Sequence, residues 1–365
     1  MQLNSLSISN LRNLHSIHLD LHPHFNIICG ENGSGKTSLL EAIHLLSTGR
    51  SFRAKQAKQI IRFGQKACLV AGAVSSMSDT GRATRIGVER LLSGGIKIRV
   101  AEQDCTSIAE LAKNLPLQLI NSESYCLLEA SPQYRRQFLD WILFHVEQSF
   151  FPVWQRFKRA LQQRNAALRA GRSCSRQDVK AWDKELIAAG TEIDEQRKRI
   201  VKELLPVFTE SIRSLLTFKD GLKIQYLSGW DKEQSLEEAL LESFERDIAW
   251  GYTTVGPQKA ELEFWVDGLP AKTLLSRGQL KLFICGLLMA RATLLANKQD
   301  RRCLFLIDDL TSELDHSASA HLLDALFKLG SQVVIACIDG APLVQALGDR
   351  GSAWFEMREG VLRGL

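Results

Sequence analysis

The stretch that decides the fold is residues 30–37, which read Gly-Glu-Asn-Gly-Ser-Gly-Lys-Thr. It fits the pattern G-x-x-x-x-G-K-[ST], follows a short apolar run at 24–29, and precedes apolar residues with helical spacing from Thr37 onward. Glycines let successive backbone N–H groups turn toward phosphate oxygens, and the start of a helix adds a partial positive charge. The stretch therefore predicts a phosphate-binding loop between a strand and a helix, and with it an α/β fold.

This loop predicts ATP as the ligand and Mg²⁺ as its metal. Lys36 is expected to reach the β- and γ-phosphates, and the Thr37 hydroxyl is expected to ligate Mg²⁺. The predicted nucleotide-binding residues of the loop are Gly30, Glu31, Asn32, Gly33, Ser34, Gly35, Lys36, Thr37 and Ser38.

A phosphate-binding loop of this kind needs a carboxylate at the end of a neighbouring strand. The apolar run at 303–307 ends in Asp308 and Asp309. We predict that Asp308 holds Mg²⁺ together with Thr37, and that Asp309 accepts a proton from the attacking water. Lys36, Asp308 and Asp309 are therefore the predicted catalytic residues.

A polar stretch at 274–282, LLSRGQLKL, opens a helix whose later residues are apolar. Taken alone, a serine and a glycine there read as an ordinary helix start. Together with the loop and the aspartates, the stretch resembles the LSGGQ signature of ABC-type ATPases, and 312–315 resembles their D-loop. The resemblance implies a two-fold homodimer in which Ser276, Gly278, Gln279 and Asp315 face ATP bound to the other subunit.

The remaining pattern divides the chain into three segments. Residues 67–100 favour an antiparallel meander, and about 132–217 are helical in period without a coiled-coil heptad. Strand patterns return at 222–226 and 261–266. We predict a first part of an ATPase head at 1–122, a helical insertion at 123–220, and a second part of the head at 221–365.

Composition favours an ordinary globular protein. The chain has 365 residues, of which 45% are hydrophobic, and a net charge of +5. No apolar run approaches a membrane span and the N-terminus lacks a signal pattern, so we expect a cytoplasmic protein with no membrane partner. The eight cysteines are scattered, which favours buried thiols over disulfides or a zinc site.

Positive charge is concentrated between residues 131 and 180, which hold ten Lys or Arg and three Asp or Glu. Such a segment favours a phosphate-rich partner, namely DNA, although charges on helices are often merely solvated. The candidate DNA contacts are Arg135, Arg136, Arg156, Lys158, Arg159, Arg164 and Arg169. Without an aromatic stacking platform, duplex, gapped or junction DNA is favoured over single strands.

The motifs, taken in order over essentially the whole chain, resemble the RecF family of DNA replication and repair proteins, within the ABC/SMC-type ATPases. They are NLRNL, GENGSGKTSLLEAI, TGRSFRAK, RRQFLD at 135–140, TTVGPQKAEL, LLSRGQLKL and LIDDLTSELD. Arg12, within the first of these motifs, is a further predicted nucleotide-binding residue. The resemblance implies an SMC-head-like fold without a long coiled coil, and an ATP-dependent homodimer that clamps DNA. It also implies roles in DNA damage repair and the SOS response, helping to load RecA with RecR and RecO.

Three departures from the usual motifs predict slow ATP hydrolysis. Gln258 replaces the histidine of a GPH[RK] element, Ile338 lies near the place of a switch histidine, and Gln118 is only a candidate for the Q-loop glutamine. Two other functions stay open from the sequence: the ATPase subunit of a transporter, and a P-loop kinase.

Overall fold

The structure is a computed structural model that describes residues 1–75, 83–170, 176–218, 221–310 and 314–365. The strands, numbered in chain order, are β1 (Gln2–Leu11), β2 (Leu14–Asp20), β3 (Phe25–Cys29), β4 (Ala67–Ser75), β5 (Thr84–Leu91), β6 (Ile96–Val100), β7 (Gln103–Cys105), β8 (Leu117–Ile120), β9 (Leu222–Leu227), β10 (Glu261–Val266), β11 (Leu269–Pro270), β12 (Leu304–Asp308), β13 (Gln332–Cys337), β14 (Ser352–Arg358) and β15 (Val361–Gly364).

The helices are numbered in the same way. They are α1 (Lys36–Thr48), α2 (Ile108–Asn114), α3 (Cys126–Glu129), α4 (Pro132–Val146), α5 (Phe150–Arg169), α6 (Arg176–Lys180), α7 (Asp183–Arg213), α8 (Leu236–Glu242), α9 (Phe244–Trp250), α10 (Ala271–Leu274), α11 (Arg277–Gln299), α12 (His316–Lys328) and α13 (Ala341–Leu347).

One sheet is largely parallel and carries the loop at 30–37. Its order is β15-β14-β3-β13-β12-β8, with β14, β3, β13, β12 and β8 parallel and β15 pairing antiparallel to β14. The central strands are buried on both faces, which is why 304–307 and 333–336 are continuous apolar runs. The carboxyl ends of these strands meet at one edge, where α/β sheets usually bind ligands.

The second sheet is antiparallel, in the order β2-β1-β4-β5-β6-β7. Helix α1 contacts strands of both sheets, and its Leu39, Leu40 and Ile43 are fully buried in one core with residues of β1, β4 and β13. The predicted α/β class with an antiparallel β subdomain is thereby confirmed.

The predicted helical segment forms α4 to α7 and contains ion pairs between its own elements. Buried Arg197 donates to both carboxylate oxygens of Asp140, each at 2.9 Å, and to the Pro257 carbonyl at 2.8 Å. The small sheet β11-β10-β9 belongs to the same unit, where the Tyr226 hydroxyl donates to Asp194 at 2.9 Å.

Contacts divide the chain into two compact units, and this division differs from the predicted domain boundaries. One unit contains Met1–Ser124, Ser211–Leu216 and Arg277–Leu365, and the other contains Tyr125–Glu210 and Thr217–Ser276. Residues 221–276 thus group with the helices and not with the rest of the ATPase head. The physical reason is that their strands pair with each other and bond to α4 and α7.

Among the described residues, one helix, α11, is long and apolar enough to cross a membrane by length and composition alone. Its most apolar window is 78% buried within the protein. Burial of that kind is what a core helix needs, so α11 gives no support for a membrane span.

Candidate nucleotide site

A cavity of about 500 Å³ lies at the carboxyl ends of the parallel strands. It is lined by residues of the glycine loop, of the ends of β12 and β13, and of the turn between β1 and β2. The lining residues are Arg12, Asn13, Asn32, Gly33, Gly35, Lys36, Thr37, Ser38, Arg53, Ser122, Asp308, Asp309, Ala336, Cys337 and Ile338.

The glycines of the loop are required by its backbone. Gly33 and Gly35 have φ of 79° and 122°, in a region that residues with a Cβ rarely adopt. Gly30 lies so close to β14 that a Cβ would come within 2.3 Å of the Met357 carbonyl oxygen. Helix α1 begins directly after Gly35, and no side chain of the described residues caps it. Its first N–H groups therefore point toward the cavity without a side-chain acceptor.

Lys36 holds the loop in a closed curve. Its ammonium group donates to the carbonyl oxygens of Gly30 at 2.7 Å and Glu31 at 2.8 Å. The side chain is mostly buried and lines the cavity. A cation held in this way lies beside the loop amides, so both can act on the same phosphate.

Thr37 and Asp308 lie together, as predicted from their places in the sequence. The Thr37 hydroxyl donates to Asp308 Oδ1 at 3.2 Å. Burial raises the pKa of the Asp308 carboxyl, the hydrogen bond from Thr37 lowers it, and the neighbouring Asp309 raises it again, for a net rise. A partly desolvated carboxylate whose hydrogen-bond partner is a neutral hydroxyl is stabilised by a nearby positive charge, which a divalent cation can supply.

Asp309 follows β12 with a φ of 59°, and its N–H donates to the Ala336 carbonyl at 3.0 Å. This left-handed turn places Asp309 at the rim of the cavity beside Asp308.

Sequence reasoning gave Arg12 a role but missed the residue that orients it. Arg12 forms a two-pronged ion pair with Glu41, whose side chain is fully buried in α1. Glu41 also accepts from the Ser51 hydroxyl and lies 4.0 Å from the Arg53 guanidinium. Arg12 and Arg53 both line the cavity, so one buried carboxylate holds two cations there. The only sequence signal was that Glu41 lies one helical turn beyond Thr37.

Asn13 is a second residue that the prediction missed. Its side-chain amide donates to the Ser34 carbonyl at 3.2 Å, and its amide oxygen accepts from Ser38 at 2.9 Å. The Gly360 N–H, in the turn between β14 and β15, donates to the same Ser34 carbonyl at 2.7 Å. Two distant turns therefore fix the middle of the glycine loop.

The hydrogen-bond donors, cations and oxygen ligands around the cavity fit a nucleoside triphosphate bound together with a hard cation. The Ser34 hydroxyl is buried and has no hydrogen-bond partner among the described residues, but Ser34 does not line the cavity. Thr37 and Asp308 offer oxygen atoms, the ligand type that Mg²⁺ prefers. Lys36, Arg12 and Arg53 supply the positive charge that a triphosphate needs.

Comparison with known proteins agrees with this geometry. The family described as RecF/RecN/SMC N terminal domain matches residues 2–361. A "DNA replication and repair protein RecF" of Stutzerimonas stutzeri is 46% identical over 96% of this chain and 94% of its own length. One of Azotobacter vinelandii is 46% identical over 93% of this chain and 92% of its own length. The chain belongs to the RecF family.

Solved structures extend the RecF likeness to the fold. A structure described as "the recombination mediator protein RecF-ATP in RecFOR pathway" has a TM-score of 0.88 and 24% identity, covering all of this chain and 97% of the other. An SMC head bound to the C-terminal winged-helix domain of ScpA has a TM-score of 0.60 and 14% identity, covering all of this chain and 97% of the other. The predicted SMC-head-like fold is confirmed, and RecF membership separates the chain from transporter ATPases and P-loop kinases.

The signature residues of this RecF-family chain lie at the start of α11. Ser276 directly precedes the helix, and Ser276 and Gln279 are exposed, while Gly278 is half-buried. Gly278 and Gln279 do not line the cavity. Of the predicted D-loop, 312–313 lie outside the described residues, whereas Asp315 caps α12 by accepting from the Ala318 N–H at 2.7 Å.

The three departures from the usual motifs have distinct surroundings. Ile338 follows β13, lines the cavity and is 51% exposed. Gln118 is fully buried on β8, where its side chain bonds Arg291 and the Cys303 thiol, and it does not line the cavity. Ser122, which follows β8, does line the cavity. Gln258 donates to the Val255 carbonyl at 2.7 Å.

The structure corrects part of the predicted DNA contact set. Arg164 is fully buried and donates to Asp183, Asp247 and Thr253, each at 2.8 Å. Arg135 is 12% exposed and holds both oxygens of Glu261 at 2.7 and 2.8 Å. These two arginines stabilise the helical unit internally, so neither can contact a phosphate without breaking buried ion pairs.

The other five candidates are more accessible. Arg136 is half-buried and donates to the Ala260 carbonyl at 2.8 Å, and exposed Arg156 pairs with Glu185 at 2.5 Å. Lys158 lies over the Trp154 ring, with 4.9 Å between its ammonium and the ring centroid. Lys158, Arg159 and Arg169 are exposed on α5 and remain predicted phosphate contacts.

Proposed function

We propose that this protein is an ATP-dependent DNA-binding ATPase of recombinational repair and replication restart. The observation that carries the proposal is the cavity in which the glycine loop, Lys36, Thr37 and Asp308 converge. Support also comes from the relatives' names, which describe DNA replication and repair proteins, and from the RecF-ATP structure named above.

In this proposal the backbone amides of residues 30–38 and the Lys36 ammonium bind the triphosphate. Thr37 and Asp308 would hold Mg²⁺, which when bound would neutralise charge on the β- and γ-phosphates. Arg12, oriented by its ion pair with Glu41, would contact the nucleotide from the side of β1. Binding in this way relies on backbone and charge, with no covalent chemistry.

Hydrolysis needs a base and a group that polarises the attacking water. Asp309 is the proposed base, because it lies at the cavity rim beside Asp308. At the switch position Ile338 presents only a hydrocarbon side chain to the cavity, so it can neither donate to the γ-phosphate nor orient water. We therefore propose slow ATP hydrolysis, stimulated by DNA, in which ATP acts mainly as a ligand that hydrolysis eventually removes.

The position of the signature supports the proposed homodimer. Ser276 and Gln279 are exposed at the N-terminus of α11, where helix N–H groups favour an anion. We propose that they contact the γ-phosphate of ATP bound to a second copy, together with Gly278 and Asp315. Because ADP lacks that phosphate, hydrolysis would weaken the dimer.

DNA is the proposed macromolecular ligand, gapped or junction DNA in particular. Lys158, Arg159 and Arg169 offer exposed positive charge on α5. A second cationic segment, residues 50–66, has six Lys or Arg and no Asp or Glu. Within it Lys55, Lys58 and Lys66 are exposed and form no ion pair among the described residues. Such contacts give affinity without base specificity and a steep salt dependence.

The proposed setting is the cytoplasm, and the proposed partners follow from family resemblance. They are RecR and RecO, with which the protein would help to load RecA onto gaps. The similar RecF structures belong to the RecFOR pathway, which supports RecR and RecO as partners.

The decisive experiment compares oligomeric state by analytical ultracentrifugation with no nucleotide, with ATP and with ADP. Wild type should dimerise with ATP only, and Lys36→Arg and Ser276→Arg should stay monomeric. Thr273→Arg, at an exposed position three residues before Ser276, is the matched control and should dimerise normally. Dimerisation of Ser276→Arg to the wild-type extent would reject the shared nucleotide site.

The DNA surface is tested by charge reversal in each unit. We expect Lys55→Glu with Lys58→Glu, and separately Lys158→Glu with Arg159→Glu, to weaken duplex binding. For every phosphate that a side chain no longer neutralises, the slope of log affinity against log salt concentration should become shallower by about 0.9. A double variant with unchanged affinity and slope removes that segment from the DNA surface.

A further inference from the structure

Two cysteines meet at the edge of the nucleotide cavity. Cys29 is the last residue of β3 and immediately precedes Gly30, and Cys337 is the last residue of β13 and immediately precedes Ile338. The two strands are parallel neighbours, and Cys29 pairs with Cys337 in their register. Their Sγ atoms are 3.5 Å apart, and both thiols are free.

The backbone already has the spacing that a disulfide requires. Neighbouring strands lie about 4.7–4.9 Å apart, within the roughly 4.4–6.8 Å that disulfides span between Cα atoms. The two sulfur atoms need to approach by about 1.5 Å to reach the bond length of about 2.05 Å. Gly340 lies against the Cys29 thiol, since a Cβ there would be 2.7 Å from Sγ, so the thiol has little room to turn toward that loop.

We propose that Cys29 and Cys337 form a redox modification site, in which a hydroperoxide converts the two thiols into a reversible disulfide that weakens nucleotide binding. The inference rests on the proposed function, because the affected ligand is the nucleotide at the glycine loop. Disulfides in reducing compartments are usually transient and redox-sensing, which fits a pair beside a binding site.

The chemistry assigns a different role to each thiol. Cys29 is half-buried and Cys337 almost fully buried, so Cys29 is the accessible nucleophile. The hydrogen bond between the two thiols lowers the pKa of Cys29, burial and Asp339 raise it, and the Lys36 ammonium lowers it, for a net fall. By the same bond the pKa of Cys337 is raised. By contrast, burial raises the pKa of Cys68 and of Cys303 to about 11, which keeps them protonated and unreactive.

The reaction balances with hydrogen peroxide as the oxidant. The Cys29 thiolate attacks one peroxide oxygen, the O–O bond breaks, and the leaving hydroxide takes a proton to become water. Cys337 then attacks the sulfur of the resulting sulfenic acid. The S–S bond forms, the S–O bond breaks, and the released hydroxide takes the Cys337 proton as a second water. Two thiols are oxidised by two electrons and one peroxide is reduced.

The bond would change the cavity because Cys337 and Ile338 line it and Cys29 adjoins Gly30, whose carbonyl accepts from Lys36 at 2.7 Å. Closing the bond draws the ends of β3 and β13 together, away from β14 on the other side of β3. The movement therefore shifts both the cavity wall at Cys337 and Ile338 and the Gly30 carbonyl that holds Lys36. We expect the oxidised protein to bind nucleotide at least about fivefold more weakly, a change of about 1 kcal/mol.

The experiment uses the full-length protein, reduced and then treated with hydrogen peroxide. Thiol titration and non-reducing peptide mass spectrometry should show loss of two of the eight thiols and a peptide that joins Cys29 to Cys337. Titration with a fluorescent ATP analogue should show the weaker binding, and dithiothreitol should restore it. A peptide in which Cys29 carries sulfinic acid instead of a disulfide would overturn the site, as would the absence of any cross-link.

Variants separate this site from the rest of the protein. Cys29→Ser and Cys337→Ser should abolish the difference between oxidised and reduced affinity, and Cys105→Ser, a half-buried thiol on β7, should retain it. If a variant fails to fold, the cross-link in the wild-type protein still decides the question. A cross-linked protein with unchanged affinity rejects the regulation, and failure of the reduced protein to bind nucleotide rejects the proposed function alone.

Discussion

Replacing Arg164 by methionine tests whether this arginine supports the helical unit or contacts DNA. The side chain is fully buried, and it donates to Asp183, to Asp247 and to the Thr253 hydroxyl. Asp247 is fully buried as well. Methionine keeps much of the volume and removes the charge, so Asp247 would stay buried with only the hydrogen bonds from Ser243 and Thr254.

The expected cost follows from that uncompensated carboxylate. Removing one partner of a buried ion pair destabilises a protein by about 3–5 kcal/mol. At about 2–4 °C per kcal/mol for a unit of about 150 residues, the transition of the helical unit should fall by roughly 6–20 °C. The measurement is thermal and urea unfolding of the full-length protein followed by circular dichroism.

The matched control is Arg159→Met, on the same helix but exposed. Its stability should change by less than about 0.5 kcal/mol, since removing an exposed side chain from the surface of a helix costs little. Its affinity for DNA should fall, measured by fluorescence anisotropy below the unfolding transition. Wild-type stability of Arg164→Met combined with a loss of DNA affinity would refute the reasoning, because it would make Arg164 a ligand contact.

Three further changes probe the nucleotide cavity. Glu41→Gln should weaken binding of a fluorescent ATP analogue about tenfold, because Arg12 and Arg53 lose the charge that holds them; unchanged affinity would show that the pair is irrelevant to binding. Asp308→Asn should raise the melting temperature without nucleotide and abolish the strengthening of nucleotide binding by Mg²⁺. Because the pKa of Asp308 is raised in the folded protein, its ionised form lowers the free energy of unfolding. This destabilisation is absent below the ordinary pKa of an aspartate and fully present above the raised pKa of Asp308. Mg²⁺-dependent nucleotide binding needs the ionised form, so it should decline as the pH falls toward that raised pKa. Ile338→His should speed phosphate release at least about tenfold, since the site is exposed enough for an imidazole to reach the water; a rate equal to wild type would mean that another step limits turnover.

The local parts of the site could be predicted from the sequence because each is encoded by adjacent residues. The glycine loop, the strand that ends at Asp308 and the start of α11 each carry their own pattern, and the parallel sheet brings the first two together. Neither Glu41 nor Asn13 could be found in this way. Their roles depend on partners that lie in other elements, such as Arg12 for Glu41 and Ser34 for Asn13.

The charge pattern led to a partly wrong set of DNA contacts for a related reason. Arg164 and Arg135 look like surface cations when only α4 and α5 are read, because Asp247 and Glu261, which bind them, lie 83 and 126 residues away. The same long-range bonds explain why residues 221–276 group with the helices in the folded chain. Composition counts charges correctly but does not say which of them are already neutralised.

The hydrogen bond from Gly360 to Ser34 bears on when the protein becomes competent during its synthesis. The glycine loop is translated early, whereas the turn that fixes its middle and the strand that presses on Gly30 emerge from the ribosome only after nearly all of the other elements. A nascent chain would therefore expose an unbraced loop with low affinity for ATP. If the proposed function holds, nucleotide capture would be a late event of biogenesis, and half-made chains would not form the proposed dimer.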